Sequence, residues 1–250
     1  MSVAIYEFPL CEKVRNYLRL EQLFKQLDNA SSATSELQHL HFFDVLFTLA
    51  DLLERVDLRT DFIRDLDTHE KKLVQWSSHP DIDSNALDRA LQDLHRTIAA
   101  LKKTNKLGMS LKDDRFLSSI KQRFSIPGGA TEFDLPNLFG WIRQSEEQQQ
   151  TDKDIWLDQL ELVRKSMQML LSYLREQGQF TDIRGENGFF QGNLQDRIDL
   201  VRVKCRTDQG YYPIVSGNKY RYGIKFMSLD PAQGSTGAVT DTVEFSLACC

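Results

Sequence analysis

Long apolar runs are missing from this sequence of 250 residues. The richest stretch, residues 45–53, is short and contains Asp51, far from the roughly eighteen uninterrupted apolar residues that a membrane-spanning helix needs. Residues 1–15 lack a basic leader followed by an apolar segment, so no secretory signal is predicted. We therefore predict a cytoplasmic protein without a membrane partner.

Cysteine is also scarce, with four residues in the chain. Cys11 and Cys205 stand alone, and Cys249 and Cys250 are adjacent, so there is neither a CxxC pair nor a disulfide framework. The adjacent pair could bind a metal or sense redox state. The favoured interpretation is that Cys249 and Cys250 are two small apolar residues that end a strand.

Motifs of catalysis are absent too. The sequence has no glycine-rich phosphate loop, no G-x-S-x-G elbow and no H-E-x-x-H. His39 and His41 lie two positions apart on a predicted helix, where side chains diverge rather than meet at a metal. We predict no enzyme activity, no cofactor and no metal. An enzyme with a scattered active site is a rival that a deep, polar-lined pocket would favour.

The N-terminal two-thirds of the chain has apolar residues at steps of three and four, which is typical of packed helices. Helices are predicted over residues 9–27, 37–56, 60–78, 84–101, 112–124, 134–141 and 152–178. The last is predicted as one continuous helix roughly 40 Å long. The polar stretch 146–150 before it is predicted as a loop.

After Gly178 the period changes to two, as expected for strands with one buried face. The alternating runs are residues 201–206, 219–226 and 242–247, and residues 3–8 are a candidate further strand. The predicted fold class is α+β. A mainly helical bundle domain spans residues 1–180 and a smaller antiparallel β domain spans 181–250.

Charge is distributed unevenly along the chain. The formal net charge is −5, yet residues 197–227 alone carry +5. A net negative protein is not built mainly to coat nucleic acid. The molecule is therefore polarised, with a basic region inside the predicted β domain.

The basic region suggests a cationic face. Residues two apart on a strand point the same way, so Lys219, Arg221 and Lys225 share one face, with Tyr220 and Tyr222 beneath it. The predicted strand 201–206 has three further cations, Arg202, Lys204 and Arg206. If this strand lies beside strand 219–226 with its cations on the same side of the sheet, six cations share one surface. This surface is either a solvated face that protects strand edges or a landing site for an acidic peptide, phosphate or nucleic acid.

A series of short segments runs in order through the whole chain and carries a family resemblance. The segments include Phe8-Pro-Leu-x-Glu-Lys-x-Arg15, Leu18-Arg-Leu-Glu21, His41-Phe-Phe43, Gln122-Arg-x-Ser-Ile-Pro-Gly-Gly129, Phe133-Asp-Leu-Pro136, Asn187-Gly-Phe189, Ser216-Gly-x-Lys219 and Leu247-Ala-Cys-Cys250. Together they resemble the ZapD family of bacterial cell-division proteins, regulators that bind the tubulin-like filament protein FtsZ.

The resemblance implies a function. It implies a cytoplasmic homodimer at the division site that binds the C-terminal tail of FtsZ and bundles its filaments without catalysis. The family's tail-binding basic positions match Arg19, Arg115, Lys219, Arg221 and Lys225, the last replacing an arginine. The resemblance also implies a dimer contact at Phe139, which replaces a polar ring, together with Trp141.

A nucleic-acid-binding regulator using the same face is the alternative. Tyr220 and Tyr222 beside cations resemble a stacking platform for bases. The net charge and the lack of a recognised reader motif speak against it. We therefore predict FtsZ rather than nucleic acid as the partner.

Overall fold

The computed structural model describes residues 2–32, 34–76, 83–193, 198–218, 220–229 and 237–250. Their helices and strands follow in chain order. They are β1 (Val3–Pro9), α1 (Glu12–Ser31), α2 (Glu36–Arg55), α3 (Leu58–Trp76), α4 (Ser84–Lys103), α5 (Met109–Asp113), α6 (Arg115–Phe124), α7 (Pro136–Ile142), α8 (Glu146–Asp158), α9 (Glu161–Gln177), β2 (Thr181–Gly185), β3 (Phe189–Asn193), β4 (Leu200–Arg206), β5 (Tyr211–Asn218), β6 (Arg221–Ser228) and β7 (Val243–Cys249).

Helices fill the N-terminal part and antiparallel strands the C-terminal part, which confirms the predicted α+β class. The chain forms two compact units, a β-rich one from Met1–Leu18 with Leu171–Cys250 and a helical one from Arg19–Leu170. The divisions fall inside α1 and α9, whereas the sequence pattern predicts a single boundary at residue 180. None of the helices in the described ranges is long and apolar enough to cross a membrane.

The region before α9 differs from its prediction. Residues 146–150 are the start of α8 rather than a loop, because the Ser145 hydroxyl caps the helix by accepting from the Gln148 backbone N–H, with Glu146 and Glu147 in the first turn. The prediction of one continuous helix over residues 152–178 is also wrong. Helix α8 ends at Asp158 and α9 begins at Glu161, with a turn closed by a 2.9 Å bond from the Leu160 N–H to the Leu157 carbonyl.

The helical unit has an aromatic centre. Five rings lie with centroids 5.2–6.3 Å apart, and Phe116 and Trp156 stack with planes 4° apart. The five are Phe42, Phe43, Phe116, Trp141 and Trp156. Both indole N–H groups bond carboxylates, Trp141 to Asp152 at 2.8 Å and Trp156 to Asp114 at 3.1 Å. The apolar area is therefore buried without leaving either indole N–H unsatisfied.

Two cations stabilise the C-terminal end of α1, which has no basic residue in its own last turn. Lys153 is 1% exposed and its Nζ donates to the Ser31 carbonyl at 3.0 Å. Arg164 holds Asp28 with two bonds of 2.7 and 2.8 Å and lies over the Phe24 ring. Burial lowers the pKa of the Lys153 ammonium. The Ser31 carbonyl at the end of α1 thus supplies part of the polar environment that the buried Lys153 ammonium needs.

Buried His39 makes the stability of the helical unit depend on pH. Its side chain packs edge-on against Trp141, and its Nδ1 has no hydrogen-bond partner among the described residues. Burial, and then the Lys153 charge, lower the pKa of His39 below 6.5. As pH falls below about 6.5, the unfolded chain binds a proton that the folded chain does not, so stability falls by up to about 1.4 kcal/mol per pH unit.

Replacing His39 by leucine should therefore flatten the dependence of stability on pH between about 5 and 7. Urea unfolding at several pH values, followed by tryptophan fluorescence, measures it. The matched control is His41→Leu, since His41 lies on the same helix but is exposed. A slope unchanged by His39→Leu, or reduced equally by His41→Leu, would contradict the assignment.

The β-rich unit contains two antiparallel sheets. The four-stranded sheet has the order β1-β4-β7-β2, and the three-stranded sheet has the order β3-β6-β5. Inner side chains of both sheets share one hydrophobic core. From β4 they are Val201, Val203 and Cys205; from β6 they are Tyr222, Ile224 and Phe226; from β7 they are Val243, Phe245 and Leu247. The two sheets therefore pack face to face as a sandwich.

Glu7 is the centre of an ion cluster in the β-rich unit. Strand β1 pairs with β4 in a register that places Val3 opposite Arg206 and Glu7 opposite Arg202. The Glu7 carboxylate accepts from Arg202 at 2.9 Å and from Arg175 at 2.6 and 2.8 Å. One carboxylate thus bonds to two guanidinium groups and joins β1, β4 and α9, and the three side chains together keep one net positive charge.

Candidate partner-binding site

The cations of β4 and β6 point in opposite directions. Val203 of β4 and Ile224 of β6 lie in the same core between the sheets. Because side chains alternate along a strand, the residues next to them face outward on opposite sides of the sandwich. The two strands also belong to different sheets. The single surface of six cations considered in the sequence analysis is therefore wrong.

Acidic neighbours offset the cations of β4. Arg202 pairs with Glu7, and Arg206 pairs with Asp208 at 2.7 Å. The latter hydrogen bond raises the pKa of Arg206 and lowers the pKa of Asp208. Lys204 lies 5.8 Å from the centroid of the Phe180 ring. Two of the three cations of β4 are paired with carboxylates, so the outer face of the four-stranded sheet is a weak candidate for anion binding.

The outer face of the three-stranded sheet is different. Strands β3, β5 and β6 contain Arg221 and Lys225 but no aspartate or glutamate. Both cations are exposed. Neither forms an ion pair with any residue of the described ranges. We call this outer surface the three-stranded face; it presents positive charge that its own strands do not offset.

Apolar side chains accompany these cations. In the strand register Lys225 lies between Phe189 of β3 and Ile214 of β5, which are 48% and 45% exposed. The Phe189 ring crosses Gly223, where an added Cβ would be 3.2 Å from the nearest ring atom. Arg221 and Lys225 are four residues apart on one strand, about 13 Å along its axis. The exposed phenyl ring therefore lies between two cations.

A shallow depression of about 360 Å³ adjoins Arg221. Polar groups that line it include Gln191, Ser216 and Asn218. The Asn218 side-chain oxygen accepts from the backbone N–H groups of Tyr220 and Arg221, at 3.0 and 3.2 Å, and shapes the β5–β6 turn. Tyr220 is 58% exposed at this turn. Lys219 falls outside the described residues.

Tyr222 must be removed from the candidate contacts. It is 4% exposed, and its hydroxyl lies 3.4 Å from the Cys249 sulfur. Burial raises the pKa values of the Tyr222 hydroxyl and the Cys249 thiol. Its alternation with exposed cations places Tyr222 in the core, so it offers no ring to a partner.

Comparisons with a family model and with curated proteins all identify the same family. A family model described as "ZapD: Cell division protein" matches residues 18–225. A cell division protein ZapD from Photobacterium profundum is 41% identical, with each chain covered completely. Those from Idiomarina loihiensis and Serratia proteamaculans are 39% and 37% identical, with 98% of this chain and 96% and 97% of theirs covered.

The chain belongs to the ZapD family. A role in cell division follows from that membership. The resemblance identified from short segments is therefore confirmed over the full length of the chain.

Two further basic positions expected from the ZapD resemblance lie in the helical unit. Arg19 is exposed on α1. Arg115 is the exposed first residue of α6 and forms no ion pair within the described ranges. Together with the exposed residues of the three-stranded face, they remain candidate contacts.

The expected ZapD dimer residues are covered by their own chain. Phe139 is 6% exposed and Trp141 is 5% exposed, both on α7. Trp141 belongs to the aromatic centre and donates to Asp152. The two rings stabilise the helical unit, so they offer almost no surface for a dimer contact.

Phe189, Gln191 and Ile214 are candidate site residues that the sequence patterns did not predict. Strands β3 and β5 were not predicted, so no reason existed to place these residues beside Lys225. The signal in the sequence was weak, because Pro213 discourages a strand assignment except at a sheet edge, where β5 lies. No cluster of His, Cys, Asp or Glu suited to a metal occurs in the described part of the chain.

Proposed function

We propose that this protein is a non-enzymatic adaptor that binds the C-terminal tail of FtsZ and, as a homodimer, cross-links FtsZ filaments into bundles. It acts in the cytoplasm, at the division site. The observation that carries this proposal is the three-stranded face, where Arg221 and Lys225 flank an exposed phenyl ring without a carboxylate on the same strands.

An acidic peptide with apolar side chains suits this face. Its carboxylates would approach Arg221 and Lys225, and an apolar side chain would pack on Phe189 or Ile214. The guanidinium of Arg221 can grip a carboxylate with two bonds, whereas the ammonium of Lys225 acts as a point charge. Lys219, Tyr220, Arg19 and Arg115 are proposed as further contacts.

Nucleic acid fits the same face less well. A stacking platform needs neighbouring exposed aromatic rings beside a track of cations. Tyr222 is in the core, so only Tyr220 of the expected pair is exposed. The two outward cations of β6 are also few for a phosphate backbone.

Bundling requires two binding sites in one particle. An exposed ion pair contributes only about 0.2–1 kcal/mol, so a single site binds its tail weakly. A homodimer presents two such sites, and filaments carry many tails. The second binding event is then governed by effective concentration, which converts weak single contacts into stable cross-links.

A tail-peptide titration tests the proposal. Chemical shifts should change at residues around Arg221, Phe189 and Lys225. Affinity should fall by about tenfold or more between about 0.1 M and 1 M salt, because the Debye length falls from about 10 Å to 3 Å. A scrambled peptide of the same composition and a generic DNA duplex are the controls.

Shift changes that avoid the three-stranded face would contradict the assigned site. Tighter binding to DNA than to the tail would favour the nucleic-acid function. Binding that is insensitive to salt would exclude an electrostatic mechanism.

A further inference from the structure

The helical unit contains an apolar cavity of about 400 Å³, none of whose lining residues belongs to the three-stranded face. It lies among α2, the segment between α4 and α5, α5 itself and α6. Its apolar wall consists of Leu46, Phe47, Ala50, Leu107, Leu111 and Leu117. This size falls within the range of small-molecule sites.

The local backbone and a flexible side chain shape the cavity. Gly108 has a φ of 72°, a left-handed conformation that glycine adopts without strain, and it is the N-cap residue of α5, immediately after Leu107. An added Cβ at Gly108 would be 3.0 Å from Leu53. Met109 also lines the cavity and is 48% exposed, so its unbranched side chain can adjust to an occupant.

Three lysines among the lining residues give the cavity a positive charge: Lys106, Lys112 and Lys121. The only carboxylate among the lining residues described is that of Glu54, which accepts from Lys112 at 2.7 Å. Lys121 pairs with Asp51 at 2.5 Å. Lys106 forms no ion pair in the described part of the chain. Glu54 and Asp51 therefore offset two of the three lysines, and an anion near Lys106 would meet the positive charge that remains.

We propose that this cavity binds a single-chain amphiphile with a carboxylate headgroup. The alkyl chain occupies the space lined by Leu46, Phe47 and Leu117, and the carboxylate lies near Lys106. A volume of about 400 Å³ exceeds that of any one amino-acid side chain, which favours an alkyl chain over a single anchoring residue of a peptide. The lysines favour an anionic headgroup over a neutral or cationic one.

The proposal goes beyond FtsZ binding and uses none of the residues proposed for the tail, although Arg115 lies on α6, which also lines the cavity. The cavity residues lie on α2, α5, α6 and the segment before α5, whereas the three-stranded face is built by β3, β5 and β6. Substitutions in the cavity can therefore be designed without touching Arg221, Phe189 or Lys225.

Calorimetric titration with dodecanoate below its micelle concentration is the test, using the full chain. We expect saturable binding with one ligand per chain, and weaker binding of dodecyltrimethylammonium, which has the opposite charge. Ala50→Phe fills the cavity and should abolish binding. A thermal melt monitored by circular dichroism establishes that this variant is folded.

Lys106→Glu provides a second variant that leaves the apolar wall intact. It should weaken dodecanoate binding by about fivefold, the size of one exposed ion pair. Lys103→Glu is the matched control, because Lys103 is exposed at the end of α4 and does not line the cavity. It makes the same change in net charge and should leave affinity unchanged.

Several outcomes would overturn the proposal. These are no saturable binding, equal binding of the cationic amphiphile, and equal losses in Lys106→Glu and Lys103→Glu. Dodecanoate binding retained by a folded Ala50→Phe variant would place the ligand elsewhere. Binding to anionic lipid vesicles without binding to free dodecanoate would indicate a membrane surface instead.

Discussion

Replacing Arg221 by glutamate should abolish bundling of FtsZ filaments while leaving the fold intact. Arg221 is exposed and has no ion-pair partner in the described ranges, so its replacement breaks no ion pair among those residues. The substitution changes the cations of β6 from two to one and adds a carboxylate at the proposed tail-binding site. Repulsion then replaces attraction at the position best suited to a bidentate contact. Sedimentation of filaments and electron microscopy measure bundling directly.

Lys204→Glu is the matched control for this experiment. It makes the same change in net charge on an exposed strand residue, but on the outer face of the four-stranded sheet. Bundling should persist in Lys204→Glu. Normal bundling by Arg221→Glu would refute the assigned site, and equal losses in both variants would mean that total charge matters rather than location.

Glu7→Gln should destabilise the β-rich unit by about 2–4 kcal/mol, near the cost of removing one partner from a buried ion pair. The variant keeps the shape of the side chain but leaves Arg175 and Arg202 without their shared carboxylate. All three side chains are only 15–25% exposed, so water replaces the lost charge poorly. Hydrogen exchange of the β1 and β4 backbone amides reports the loss, because those strands are paired beside Glu7.

Glu244→Gln is the control, because it is the same chemical change on the same sheet. Glu244 pairs with Arg184 at 2.7 Å, but the two side chains are 69% and 76% exposed. Its loss should change stability by less than about 1 kcal/mol, as for other surface pairs. Similar exchange rates in the two variants would show that the Glu7 cluster contributes no more than a surface pair.

The periodicity of the sequence predicted the fold class but only part of the site. Alternation correctly placed Arg221 and Lys225 on the outer side of a strand whose other side is buried. It could not determine which strands are neighbours, because pairing depends on contacts between distant segments. The cations of β4 and β6 consequently appeared to share a surface, although they lie on opposite sides of the sandwich.

Local capping and burial account for the remaining differences. The Ser145 cap outweighed the polar composition of residues 146–150 and began a helix there. Aromatic rings are useful both in a core and at an interface, so sequence alone could not distinguish the two environments for Trp141 and Tyr222. Phe189 could be recognised only once β3 was seen beside β6.

The pairing of β1 with β4 affects the order in which the chain can fold during synthesis. The helical unit is one continuous segment, Arg19–Leu170, so the ribosome synthesises all of it before it makes β4. Strand β1 is synthesised first, yet its partner lies about two hundred positions later in the chain. Until then its backbone groups have no ladder to join, and closing so long a loop slows folding. Nascent chains therefore carry an unpaired strand for most of translation, and this is the interval in which aggregation or chaperone binding is most probable.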